Sequence, residues 1–267
     1  MRMIRGVMLV FAVSALVVSA QGRPARRAVA SGAAQTVRVA AAADLKFALD
    51  QIAGRLVQQR PSIRIEATYG SSGSMHAQLR QRAPFDVYLS ADIGYPRDLV
   101  AQGIGSERDL FTYALGRVVV WVPRRSTLAI ERLGLGALQG ASRVAIANPR
   151  HAPYGRAAEE ALRKAGVWTA VSEKIVLGEN VSQAAQFVQS GAADTGVIAK
   201  SLAVAPVMRS AGRFWEIPET AYAPLIQGGL FLPWARSREA AVGVRDYLLS
   251  DAGRQLLAAN GFGLPVR

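Results

Sequence analysis

The sequence predicts an α/β fold with mixed, mainly parallel sheets flanked by helices. Short β-like runs alternate with amphipathic helical stretches, and the links between them are short, the order that parallel sheets require. Apolar residues make up 51% of the 267 residues and charged residues 19%, which supports real cores and excludes a disordered chain. The length suits two modest domains better than one large one, although composition does not place the boundary.

The elements follow in order. Residues 1–20 combine Arg2 and Arg5, an apolar stretch and a small-residue end at Val18-Ser19-Ala20, the three marks of a secretory signal peptide. The apolar run falls short of the ~20 residues needed to span a bilayer. Residues 21–36, rich in Ala, Gly, Arg and Ser, read as a disordered leader. A β-like run over 37–42 precedes a helical face marked by Leu45, Leu49, Ile52, Leu56 and Val57, with Asp44 as a natural N-cap. A second strand over 63–69 ends in Gly70-Ser71-Ser72-Gly73-Ser74, and a helix follows from Met75. Strands are expected at 86–92, 118–122, 143–148, 175–177, 195–199 and 226–232. Helices are expected at 96–102, at 156–165 closed by Gly166, at 183–189 capped by Asn180-Val181-Ser182, and at 238–260 with a break at 250–253.

Composition narrows the function. The chain has no cysteine, which excludes a disulfide framework, thiol catalysis, zinc–thiolate sites and a lipid-modified N-terminal cysteine. His76 and His151 are the only histidines, too few for a multi-histidine metal centre. The net charge of +13 admits an anionic partner, but Arg2, Arg5, Arg23, Arg26 and Arg27 belong to the signal and leader. The rest of the chain carries 27 basic against 19 acidic residues. Aromatic and basic residues are not interleaved as nucleic-acid binding requires.

Chemistry concentrates where strands run into helices. Ligands of open α/β sheets bind beyond the carboxyl ends of the strands, where helix N-termini present free N–H groups. Four junctions hold small or hydroxyl residues: Ala43-Asp44, Gly70 to Gly73, Ala152-Pro153-Tyr154-Gly155 and Asn180-Val181-Ser182. Together they suit an oxyanion, although Gly, Ser and Asn also gather at ordinary turns and caps. The Gly70–Gly73 loop is followed by no Gly-Lys-Ser/Thr, so it is not a phosphate loop, and its spacing is not that of a nucleophile elbow. Asp86 and Asp92 stand at strand ends, where turn and capping roles are commoner than catalysis. His76 reads as a surface residue, His151 as a loop residue, and the four tryptophans as packing residues.

The ordered set VRVAAAADLKFAL (37–49), GSSG (70–73), APFDVYLSAD (83–92), Asn148-Pro149 with APYG (152–155), ENVSQA (179–184) and GAADTG (191–196) closely resembles the periplasmic molybdate-binding proteins of ABC transporters. The resemblance runs from Val37 to the C-terminus. It implies a two-lobed solute-binding fold that closes about a hinge, with lobe 1 at 37–117 plus 229–267, lobe 2 at 118–228, and crossovers near 115–118 and 225–228. It implies capture of molybdate or tungstate in the interlobe cleft and delivery to a membrane permease, by a monomeric periplasmic protein with no catalysis, no cofactor and no bare cation site.

Carried over by position, Ser72 matches a hydroxyl-plus-amide ligand, Tyr154 a ligand after Ala-Pro, and Val181 a backbone-amide ligand. Ala43 stands where the family has Ser or Thr, followed by Asp44, so a hydroxyl donor is lost there. Ala199 stands where some members have a tyrosine, and the Tyr154 phenol is the expected substitute donor. An ionised Asp44 would repel a dianion, so its side chain is expected to cap the helix and point away. Sulfate or phosphate is the alternative ligand, a proton acceptor at Asp44 favouring phosphate. A secreted hydrolase using Ser72 is the remote alternative, and it lacks a recognisable base.

Overall fold

The computed structural model describes residues 34–266. The signal peptide and most of the leader lie outside the described residues. The first strand begins at Gln35, inside the stretch expected to be leader.

The first half alternates as expected through β1 (Gln35–Ala42), α1 (Lys46–Gln59), β2 (Ile63–Gly70), α2 (Ser72–Arg80), β3 (Val87–Ser90) and α3 (Gly94–Ala101), and then adds β4 (Leu110–Gly116). After Arg117 the chain enters β5 (Val118–Pro123), α4 (Ile130–Leu133), β6 (Val144–Ala147), α5 (Pro153–Lys164), α6 (Trp168–Val171), β7 (Ile175–Gly178), α7 (Val181–Ser190), β8 (Thr195–Ala199), α8 (Lys200–Ala203), α9 (Pro206–Ala211) and β9 (Gly212–Glu216). It then returns through β10 (Leu225–Phe231) to α10 (Arg238–Leu249) and α11 (Asp251–Ala259).

The strands form two five-stranded sheets, β2-β1-β3-β10-β4 and β7-β6-β8-β5-β9. In each, three parallel strands are joined by an antiparallel strand that arrives from the other sheet: β10 in the first, β5 in the second. Each sheet with its helices makes one lobe, and the two lobes share one topology. β10 pairs with the first sheet along its whole length, so residues 225–228 join that sheet rather than the second.

Side-chain alternation explains the cores. In β1, Val37, Val39 and Ala41 face Leu45, Leu49, Ile52 and Leu56 on the α1 side, while Ala40 packs with Met75, Leu79, Tyr88, Leu99 and Leu230 on the other face. Full burial of each large apolar side chain is worth about 1.5–3 kcal/mol. The second sheet has its own core around Trp121, Ile146 and Val197. Two strands escaped the sequence reading, β4 and β9. β4 is an internally mixed run, and β9 (GRFWE) is only partly buried.

The long C-terminal helix breaks where expected: Ser250 ends α10 and caps α11, accepting from the Gly253 N–H. Gly166 follows α5 with φ +72°, the left-handed conformation of a helix stop. What positions the site is the order of the parallel strands. The turn at Ala43–Leu45 and helices α2, α5 and α7 follow β1, β2, β6 and β7, two starts per lobe.

Candidate functional site

These four starts line one small cavity, with about 10 Å³ of space for the centre of a water-sized sphere. Ala43, Asp44, Ser72, Tyr154 and Val181 all line it, so the structure brings together the five residues expected to bind the anion, whereas Ser182, Ala199, Asp86, Asp92, His76 and His151 do not line it. None of the lining residues is Lys, Arg or His. Among the described residues, no group of three or more His, Asp or Glu side chains is placed to hold a metal ion.

Three of the starts are finished mainly by their own first turn, with one bond at α2 coming from the other lobe, and each finish leaves one N–H over. At α2, Ser71 Oγ accepts from the Ser74 N–H, its carbonyl accepts from Met75, and the Gly73 N–H goes to the His151 carbonyl at 2.8 Å. The Ser72 N–H remains. At α5, Pro153 has no N–H, and the Gly155 and Arg156 N–H groups return to the Ala152 carbonyl. Tyr154 supplies the remaining donor. At α7, Asn180 Oδ1 accepts from Ser182 and Gln183 at 3.0 Å each, and the Asn180 carbonyl accepts from Ala184, which leaves Val181. Ser72 adds a second donor, because its Oγ already accepts from the buried Ala91 N–H at 3.0 Å and keeps its own proton to give.

The fourth start differs. Asp44 makes no side-chain cap, either of the 3₁₀ turn at Ala43–Leu45 or of α1. Instead its carboxylate turns into a buried cluster, where Oδ2 accepts from Tyr154 Oη at 2.9 Å and from Gln227 Nε2 at 2.5 Å. The capping expectation fails because these partners, distant in sequence, outcompete a local N–H. The Tyr154 proton is given to Asp44, so its phenol is not a free donor in this state.

Asp44 is 1% exposed, and Oδ1 has no hydrogen-bond partner. Burial pushes the carboxyl up to about 6, against the pull of Gln227, Tyr154 and the N–H groups of Asp44 and Leu45. Burial, followed by the Asp44 charge, in turn holds the Tyr154 hydroxyl well above its ordinary range. The Asp44 carbonyl also accepts from Ser201 Oγ of the second lobe at 2.8 Å.

The rim joins the lobes as well. Arg156 pairs with Asp92 Oδ2 at 2.7 Å and donates to Tyr95 Oη at 2.9 Å, while Asp92 Oδ1 closes a turn onto the Gly94 N–H. Asp86 is structural, accepting from the N–H groups of Arg38 and Arg236. His76 contacts Asp98 on the surface, and His151 bridges to the other lobe through Nδ1, 2.8 Å from Ser71 Oγ. His151 Nε2 lies 3.6 Å from Glu179, which gives the order of a serine–histidine–carboxylate triad. Ser71 Oγ, however, already serves Ser74 N–H and Ser74 Oγ, the coordination of a structural cap.

The sequence reading missed Gln227, Ser201 and the Arg156–Asp92 pair. Only Gln227 carried a signal, a lone amide inside an otherwise apolar and glycine-rich strand.

A model of bacterial extracellular solute-binding proteins matches residues 37–263. The molybdate-binding protein ModA of Azotobacter vinelandii is 32% identical over 232 residues, covering 86% of this chain and 91% of that protein. ModA of Rhodobacter capsulatus is 31% identical over 209 residues, covering 78% and 81%. The solved structure of the Azotobacter vinelandii periplasmic molybdate-binding protein matches with a TM-score of 0.78 at 29% identity, over 86% of this chain and 100% of that one.

Proposed function

The chain belongs to the bacterial extracellular solute-binding protein family, and from that premise we propose that it captures molybdate, and also tungstate, between its lobes and delivers it to the membrane permease of an ABC importer. The observation that carries this reading is the cavity itself: helix starts from both lobes leave one N–H each at the same enclosed space, and no cationic side chain lines it.

A tetrahedral dianion suits such a site. The N–H groups of Ser72, Tyr154 and Val181 and the Ser72 hydroxyl act as donors, with Ala43 and Asp44 contributing backbone from the fourth start. Each hydrogen bond to a charged acceptor is worth about 1.5–3 kcal/mol, and the helix dipoles add to it. Molybdate carries no proton at neutral pH, so donors alone satisfy it. The ligand undergoes no chemistry, the protein needs no cofactor, and it works as a monomer in the periplasm after export. The lobes, 37–117 plus 225–267 and 118–224 once β10 is counted with its own sheet, close on the anion as rigid bodies about the crossovers.

Asp44 favours a second reading. Asp44 lines the cavity and its Oδ1 is an unpartnered acceptor, and hydrogen phosphate has a proton to give such a group. Calorimetric titration with molybdate, tungstate, sulfate and phosphate decides between them. Nanomolar-to-micromolar binding of molybdate and tungstate, with sulfate and phosphate much weaker, is the expected result. Preferential phosphate binding would move the assignment to the second reading, and binding of none of the four would overturn both.

A further inference from the structure

Gln227 is fully buried in β10, the strand by which the chain returns from the second lobe to the first. It sits where the register of β10 against β4 shifts. Its Nε2 donates to Asp44 Oδ2 at 2.5 Å and to Tyr154 Oη at 3.2 Å, and Tyr154 Oη donates to the same Asp44 oxygen at 2.9 Å. Three side chains thus close a ring: one from a helix start of the first lobe, one from a helix start of the second, and one from the strand between them.

The other crossing touches the same ring. A Cβ on Gly116, the last residue of β4, would stand 2.6 Å from Tyr154 Oη and 3.2 Å from Gln227 Nε2. Both passages between the lobes therefore border the cluster.

An amide is a costly choice for this position. Gln227 Oε1 is buried without a partner, whereas an apolar side chain of the same volume would leave nothing unsatisfied. The compensation lies in what Nε2 holds together, since each of its partners belongs to a residue that lines the cavity.

We propose that Gln227 is a positioning residue of the oxyanion site: it ties Asp44 to Tyr154 across the lobe crossing, and so holds the two helix starts at the separation from which their N–H groups reach one anion together. Gln227 itself does not line the cavity and does not touch the anion. The inference rests on the oxyanion function proposed above. Because the ring spans both lobes, it stabilises the closed complex, and its loss acts on release more than on encounter.

The test compares wild type with Gln227→Met, Tyr154→Phe and the double variant, measuring molybdate affinity by calorimetry and its release rate by chase with excess tungstate. Gln227→Met is expected to speed release about tenfold or more while association stays within about twofold. Tyr154→Phe, which keeps the backbone N–H, moves in the same direction. The double variant should be no worse than the more affected single variant, because both substitutions cut one ring. A packing role alone would give independent, multiplicative effects. Gln227→Asn keeps an amide one methylene shorter and must also release faster, which covers a Met variant that does not fold. An unchanged release rate, or multiplicative effects in the double variant, overturns the inference while wild-type binding stands. A wild type that binds none of the tetrahedral anions removes the proposed function, and this inference with it.

Discussion

The start of α2 and the turn at Ala43–Leu45 open on the same cavity from the same sheet, yet they are finished in opposite ways. At α2 the cap is made within the first turn, by Ser71 onto Ser74, and the Ser72 donors are left for a ligand. At Ala43–Leu45 no local cap forms. The Asp44 carboxylate is held by Tyr154 and Gln227, which lie 110 and 183 positions away. On the proposed function, the first start is a donor waiting for an anion. The second carries an anion of its own, and its comfort depends on both lobes being in place.

That contrast can be broken most severely by removing a donor from a locally finished start. Val181 is the first residue of α7, and Asn180 before it is extended (ψ 175°), so Val181→Pro should leave the helix intact while deleting its free N–H and placing a ring carbon toward the cavity. Molybdate affinity should fall by about a hundredfold or more, with the melting temperature nearly unchanged. Calorimetry and thermal unfolding check both halves, and retained affinity would take Val181 out of the site.

Asp44→Asn probes the opposite kind of start. The carboxyl is pushed from 3.8 to about 6, so the folded chain holds a proton there that the unfolded chain has released. The stability this contributes is fully present below about pH 4 and lost as pH rises through about 6. Above that, burying the charge costs up to about 3 kcal/mol. The variant should therefore match wild type at pH 4, exceed it by a margin that grows up to about pH 6, and keep a level margin to pH 7.5, as read by denaturant unfolding. A pH-independent difference would show that the carboxylate is not buried as a charge.

Ser72→Ala removes a hydroxyl donor but keeps the N–H. Binding should weaken ten- to a hundredfold, corresponding to about 1.5–3 kcal/mol, and titration at fixed pH measures it. Unchanged binding would mean that this hydroxyl serves only the Ala91 N–H.

The smallest effect is expected from Asn180→Ala. It removes a cap that accepts from Ser182 and Gln183 and should cost about 1 kcal/mol of stability. Affinity should change by no more than about threefold, since the Val181 N–H is not among the donors that the cap consumes. A loss as large as that of Ser72→Ala would show that capping and ligand binding are one function at this start.

Legibility in the sequence follows the range of the interactions. The start of α7 could be read because Asn180, Ser182 and Gln183 are neighbours, and the break at Ser250 because a cap and its partner lie three residues apart. Ser72, Tyr154 and Val181, which line one cavity, stand out in the sequence by family position and by the small residues around them. Asp44 was misread because capping is the local optimum for an aspartate before a helix, and nothing nearby announces Tyr154 or Gln227. β4 and β9 were missed for a related reason: β4 has no clean alternation of period two, and β9 is a short, half-exposed edge of its sheet.

The hydrogen bond from the Gly73 N–H to the His151 carbonyl has a bearing on how such a protein changes over time. It seals the two lobes main chain to main chain, so drift in the identities of rim side chains leaves it in place. Its vulnerability is concentrated at one position, where any added Cβ would stand 2.7 Å from the His151 oxygen. A lineage could recharge or reshape the whole mouth of the cleft, altering which anions are drawn to it, while the shutter itself is inherited through a single glycine.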